Sequence, residues 1–213
     1  MLFALGLRLM AEAENSARVA GRITKEDTLT YRDGLIIALL AAVPLRRRTL
    51  AALTVNQHLL KVGDRWLLDI PADDTKTRRP LEFPVPHALS EWISLYLADF
   101  RGALTGATMH QGFWPSAKGR PMSGGAIYDA VRRRTIVALG LPVNLHRFRS
   151  AAGNLWSISD PMNVRGVKDL LGHTDFGTTE RHYIGAQSRL AGRALAKVLR
   201  PHDLRSRRSD SPS

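Results

Sequence analysis

One run of residues constrains the fold more than any other. Gly34-Leu35-Ile36-Ile37-Ala38-Leu39-Leu40-Ala41-Ala42-Val43 carries no charge and is closed by Pro44. A helix that is apolar nearly all round must be covered on every side. The chain is therefore expected to build its core around this helix. Pro44 ends it, because a proline disfavours helical geometry in the residue before it. Its start is read at Thr30, whose spacing to Asp33 makes a variant capping box. The run is far too short to span a bilayer, so no membrane partner is expected.

The flanking segments divide into helices and one small sheet. Met1 to Ala20 reads as a helix with Leu2, Leu5, Leu9 and Met10 at helical spacing. It is interrupted by Arg8 and lacks a basic start, unlike a signal peptide. Gly21 to Asp27 reads as a polar link. After Pro44, Leu45 to Leu53 reads as a short helix opened by three arginines, with Leu50 and Leu53 buried. His58 to Val62, a Gly63-Asp64 turn and Arg65 to Ile70 read as a hairpin. A polar loop, Pro71 to Arg79, leads to a third strand around Leu81-Glu82-Phe83. Pro86 to Arg101 reads as a helix with Leu89, Trp92, Ile93, Tyr96 and Leu97 inward. Gly102 to Pro121 is a Gly/Pro-rich loop. Ser123 to Leu139 reads as a helix with Ile127, Val131 and Ile136 inward. Gly140-Leu141-Pro142 breaks it, and short helices follow to Arg200. The expected class is mainly α with a small antiparallel β-sheet, an α+β fold.

Charge narrows the choice of partner. The 213 residues include 31 Lys+Arg against 19 Asp+Glu, a formal charge of +12. Such an excess attracts polyanions over long range. Part of it sits in the terminus: Lys197, Arg200, Arg205, Arg207 and Arg208 lie in or beside a Ser/Asp/Pro-rich tail. A basic excess remains without them. Cysteine is absent, which excludes disulfides and thiolate metal sites and fits a cytoplasmic location.

Several basic and phenolic residues are candidates for chemistry. Three arginines from Arg46 open a helix, where cations oppose the helix dipole and an anion would be welcome. Lys76 lies in the loop before the third strand. His146 and Arg149 are three apart and share a helical face. His173 follows Leu170-Leu171-Gly172 at a turn, and Tyr183 comes ten residues later. Taken singly, each has a plain alternative. The arginines can be a solvated helix start, Lys76 a solvated charge, and His146 and Arg149 a solvated face. His173 can be a capping histidine. Tyr183 can be a half-buried core tyrosine, as Tyr31, Tyr96 and Tyr128 are read to be.

Their order along the chain is more specific. Between Asp33 and Tyr183 the chain resembles the catalytic domain of the tyrosine recombinases, the phage-integrase family. "PLRRRTLAAL" is similar to the first-arginine motif, and "TKTRRPLEFPVP" to the segment bearing the catalytic lysine. "HRFR" matches the H-x-x-R box, and "LLGHTDFGTTERHY" resembles the L-G-H…Y box. Pro44 stands where the family often has glycine. The histidine-to-tyrosine interval is one residue longer than is common.

The resemblance implies a chemistry. Arg46 and Arg149 would clamp the non-bridging oxygens of a phosphodiester with their forked guanidiniums. Tyr183 would be the nucleophile, with His146 as acid/base. Lys76 would protonate the departing 5′ oxygen, and His173 would orient the phosphate. The implied product is a 3′-phosphotyrosine beside a free 5′ hydroxyl, formed with no cofactor and no small-molecule substrate.

The implied organisation is a linker helix at 1–26, which could close an N-terminal DNA-clamping domain, a catalytic domain at 27–200 and a disordered basic tail at 201–213. The implied partners are double-stranded DNA and three further copies of the chain, as a homo-tetramer on DNA. The helix Arg189 to Leu199 is a candidate for packing on a neighbour, or equally in cis. Site-specific recombination or integration is the expected function. A type IB topoisomerase-like relaxation and a non-catalytic DNA-binding module are the alternatives.

Overall fold

The computed structural model describes residues 1–43, 45–75, 78 and 80–148. Within them the chain is mainly helical with one small antiparallel sheet, as the sequence predicts. Helix α1 (Leu2–Ala20) is followed by α2 (Lys25–Ala42) and the short α3 (Arg47–Ala51). A meander of β1 (Leu59–Val62), β2 (Arg65–Ile70) and β3 (Leu81–Pro84) comes next. Helices α4 (His87–Leu95) and α5 (Gly124–Leu139) follow. Among the described residues, no helix is long and apolar enough to cross a membrane.

Helix α2 is the core helix the apolar run demands. Leu35, Ile36, Ile37, Ala38, Leu39 and Leu40 have no exposed surface. Its start differs from the sequence reading. The N-cap is Thr24, not Thr30: the Thr24 hydroxyl accepts from Asp27 N–H at 3.1 Å, and Asp27 Oδ2 accepts from Thr24 N–H at 2.9 Å. Two reciprocal bonds satisfy otherwise orphaned amides nearly two turns earlier. The polar link therefore shrinks to the residues around Gly21, which takes the left-handed conformation (φ 65°) that ends α1. Thr30 and Asp33 then fall inside the helix, and Asp33 is free for a different role.

Helix α1 lies directly against α2. A Cβ placed on Gly6 would stand 2.6 Å from the backbone of Gly34 and Ala38. Leu5, Leu7, Leu9 and Met10 bury in the same core as α2.

The sheet has the order β1-β2-β3, with Val62 opposite Arg65 across the Gly63-Asp64 turn and Leu68 opposite Phe83. Trp66, Leu68 and Ile70 alternate inward along β2. Trp66 Nε1 donates to Ser90 O and Ser94 Oγ, both at 3.2 Å, which pins the sheet to α4.

Two further differences concern helix faces. The expected helix from Pro86 to Arg101 is α-helical only to Leu95; a wider π turn spans Tyr96–Phe100 and a 3-10 turn spans Arg101–Ala103. This turn holds two fully buried rings, Tyr96 and Phe100. Tyr31 stacks on both, and the Tyr96 hydroxyl donates to Phe113 O at 3.1 Å. Tyr31 and Tyr96 are thus fully rather than half buried. On α5, Ile136 is 37% exposed instead of inward. The spacing of four from Ile127 through Val131 lands on Thr135, which is buried. Its hydroxyl has a task there, accepting from Val143 N–H at 3.0 Å.

Candidate active site

The arginine-rich start of α3 is held from below. Arg46 is the N-cap residue, half-buried, and its carbonyl accepts from Leu50 N–H at 2.9 Å. Leu50 and Leu53 bury as the sequence predicts. The Trp114 indole donates to Leu50 O at 2.9 Å, and Phe113 N–H donates to Leu53 O at 2.8 Å. These bonds fix a five-residue helix that could not persist alone. Arg47 and Arg48 are exposed, and the Arg47 side chain lies along Gly124 at the start of α5. A Cβ on Gly124 would come within 3.1 Å of Arg47 Cγ.

His146 sits on the helical turn 145–148. Asn144 starts that turn, its side-chain oxygen accepting from His146 N–H at 3.0 Å. Leu145 and Phe148 bury in the main core, while His146 and Arg147 face outward. The turn is delivered by α5 through the Thr135–Val143 bond. Arg46 and His146 thus leave from elements seated on one core, and both side-chain positions reach the surface. Lys76, Arg149, His173 and Tyr183 lie outside the described residues, as do the helix at 189–199 and the tail at 201–213.

Two polar arrangements escape sequence reasoning. The first is centred on Asp33. Its Oδ1 accepts from Arg32 Nε at 3.0 Å and Nη2 at 2.6 Å, and its Oδ2 accepts from Arg134 Nε at 3.0 Å. Arg32 Nη1 donates onward to Pro115 O at 2.8 Å, and Arg134 Nη2 to Thr30 Oγ1 at 2.9 Å. One carboxylate so ties α2 to α5 and to the loop after Trp114. An Arg-Asp pair beside an uninterrupted apolar run was the available signal, since such charges are rarely buried unless paired. The second is a buried histidine, His58, bonded to Asp74 at 2.9 Å. Nothing in the local sequence marks that pair.

Comparison with known proteins agrees with this architecture. The model of the phage integrase family matches residues 8–189. The chain belongs to that family, the tyrosine recombinases. It is similar to tyrosine recombinase XerD of Pseudomonas aeruginosa, at 28% identity over 85% of this chain and 58% of the relative. It is also similar to tyrosine recombinase XerC of Mycobacterium bovis, at 31% identity over 86% of this chain and 58% of the relative. A third relative, tyrosine recombinase XerD of Chlorobaculum tepidum, is 27% identical over 72% of this chain and 48% of its own length. The chain therefore spans less than two thirds of the curated relatives it matches.

Proposed function

We propose that this chain cleaves and rejoins DNA strands through Tyr183 in site-specific recombination or integration. The observation that carries the reading is the extent of the family match. Residues 8–189 take in Arg46, Lys76, His146, Arg149, His173 and Tyr183 together.

In this reading the Tyr183 phenolic oxygen attacks the scissile phosphorus and forms a phosphotyrosyl bond. The bond to the 5′ oxygen breaks, and Lys76 supplies the proton that this oxygen takes. His146 accepts the phenolic proton. Its exposed position on a turn anchored by Leu145 and Phe148 suits a group that must meet an incoming strand. Arg46 and Arg149 stabilise the added charge on the non-bridging oxygens, and His173 orients the phosphate. Phosphodiester energy is kept in the new bond, so the free 5′ hydroxyl can reverse the step.

The partner proposed is double-stranded DNA, in keeping with the +12 charge. The assembly proposed is a homo-tetramer on DNA. The catalytic domain in this reading covers residues 27–200, preceded by a linker segment at 1–26 that contains α1 and followed by the tail at 201–213.

A nicked suicide substrate tests the reading, because loss of a short 5′ fragment traps the intermediate. Wild type should yield a protein–DNA adduct that survives denaturation, and Tyr183→Phe should yield none. DNA binding without any adduct from wild type would instead identify a non-catalytic binding module.

A further inference from the structure

His58 joins three segments that the sheet alone does not hold together. The residue is 4% exposed. Its Nδ1 lies 3.2 Å from Thr54 N. A backbone N–H can only donate, so Nδ1 accepts and the ring proton sits on Nε2. That nitrogen is 2.9 Å from Asp74 Oδ2. The neutral imidazole therefore donates to a carboxylate, a charge-assisted bond stronger than a neutral one. The His58 backbone adds two links: its N–H donates to Thr54 O at 3.3 Å, and its carbonyl accepts from Asp69 N–H at 2.9 Å.

The segments so joined matter for the site. Thr54 follows α3, the helix that begins at Arg46. Asp69 belongs to β2. Asp74 closes a 3-10 turn, Ala72–Asp74, that lies beyond the end of the β2 ladder. Thr75 reinforces that turn, with N–H and hydroxyl both donating to Ala72 O, at 3.1 and 2.9 Å. In sequence Lys76 comes two positions after Asp74.

We propose that His58 and Asp74 are positioning residues for Lys76, tying the turn that leads into it to the end of the helix that Arg46 begins. This rests on the strand-cleavage reading above. A lysine carries its ammonium on a flexible four-carbon stem. Where the stem starts then decides how often the ammonium meets the leaving oxygen, and small displacements of a reacting group are costly in rate.

The test uses Asp74→Ala in the full chain. Its side chain is 41% exposed, so truncation leaves no cavity. His58→Ala would instead remove a buried ring and the acceptor of the Thr54 N–H. Adduct formation is measured on two substrates, one ordinary and one with sulfur replacing the 5′ bridging oxygen. Sulfur departs as a thiolate and needs no proton, thiols being far more acidic than alcohols. On the ordinary substrate Asp74→Ala should slow adduct formation about tenfold, and Lys76→Ala on the order of a hundredfold or more. On the sulfur substrate both should return to within about threefold of wild type, as expected when the missing function is proton delivery. Asp74→Asn, which keeps an acceptor oxygen, should recover much of the ordinary rate. An Asp74→Ala defect equal on both substrates, or none on either, overturns the proposal, as does Lys76→Ala that sulfur fails to rescue. No adduct from wild type on either substrate brings down the strand-cleavage reading itself, and this proposal with it.

Discussion

Gly6 and Gly34 cross so closely that neither can carry a side chain. A Cβ on Gly34 would stand 2.7 Å from Gly6 O, and one on Gly6 would stand 2.6 Å from Gly34 O. Helices α1 and α2 meet there backbone to backbone.

Gly34→Ala should therefore destabilise the chain, against its helix propensity. Alanine favours a helix interior over glycine by up to about 1 kcal/mol. Overpacking against backbone, which cannot rotate away, costs about 1–3 kcal/mol or more. A net loss of about 2 kcal/mol is expected in denaturant unfolding. A rise in stability would mean that the helices separate easily at this crossing.

Asp33 should rank among the most sensitive polar positions. It is 2% exposed and neutralises Arg32, itself 3% exposed. Asp33→Ala leaves that guanidinium buried without its countercharge, at a cost of about 3–5 kcal/mol. Arg134 is partly exposed, so Arg134→Ala should cost less. Thermal unfolding of the two variants gives the order, and equal losses would contradict it.

Acid should weaken the start of α2. Burial opposes ionisation of Asp27, but bonds from the Thr24 hydroxyl, Ser16 and the Thr24 N–H prevail and hold its carboxyl below the usual range. A depressed carboxyl stabilises the folded state at pH above the unfolded value, about 4. The contribution disappears as pH falls through the lower folded value. Wild type should thus lose stability below about pH 4 more steeply than Asp27→Asn. Superimposable acid limbs for the two proteins would show that the carboxylate does not contribute.

Arg46 offers a prediction that separates chemistry from folding. Its side chain is only half-buried, and α3 is secured through Leu50, Leu53 and Trp114. Arg46→Ala should leave the unfolding midpoint nearly unchanged. It should cut single-turnover adduct formation by on the order of a hundredfold or more, as loss of an oxyanion donor does. Unchanged adduct formation would remove Arg46 from the site.

Sequence by itself determined the central helix, the hairpin register around Gly63-Asp64, the burial of Leu50 and Leu53, and the membership that four ordered motifs announce. These follow from local periodicity, turn chemistry and residue order, which need no knowledge of what packs where. Only the tertiary structure decided that Thr135 rather than Ile136 faces inward, and that Asp33 and His58 meet Arg134 and Asp74. A polar side chain's partner is set by how distant segments pack, and burial makes that partner necessary. Asp33 finds Arg134 across 101 residues of chain, an interval over which no periodicity in the sequence can speak.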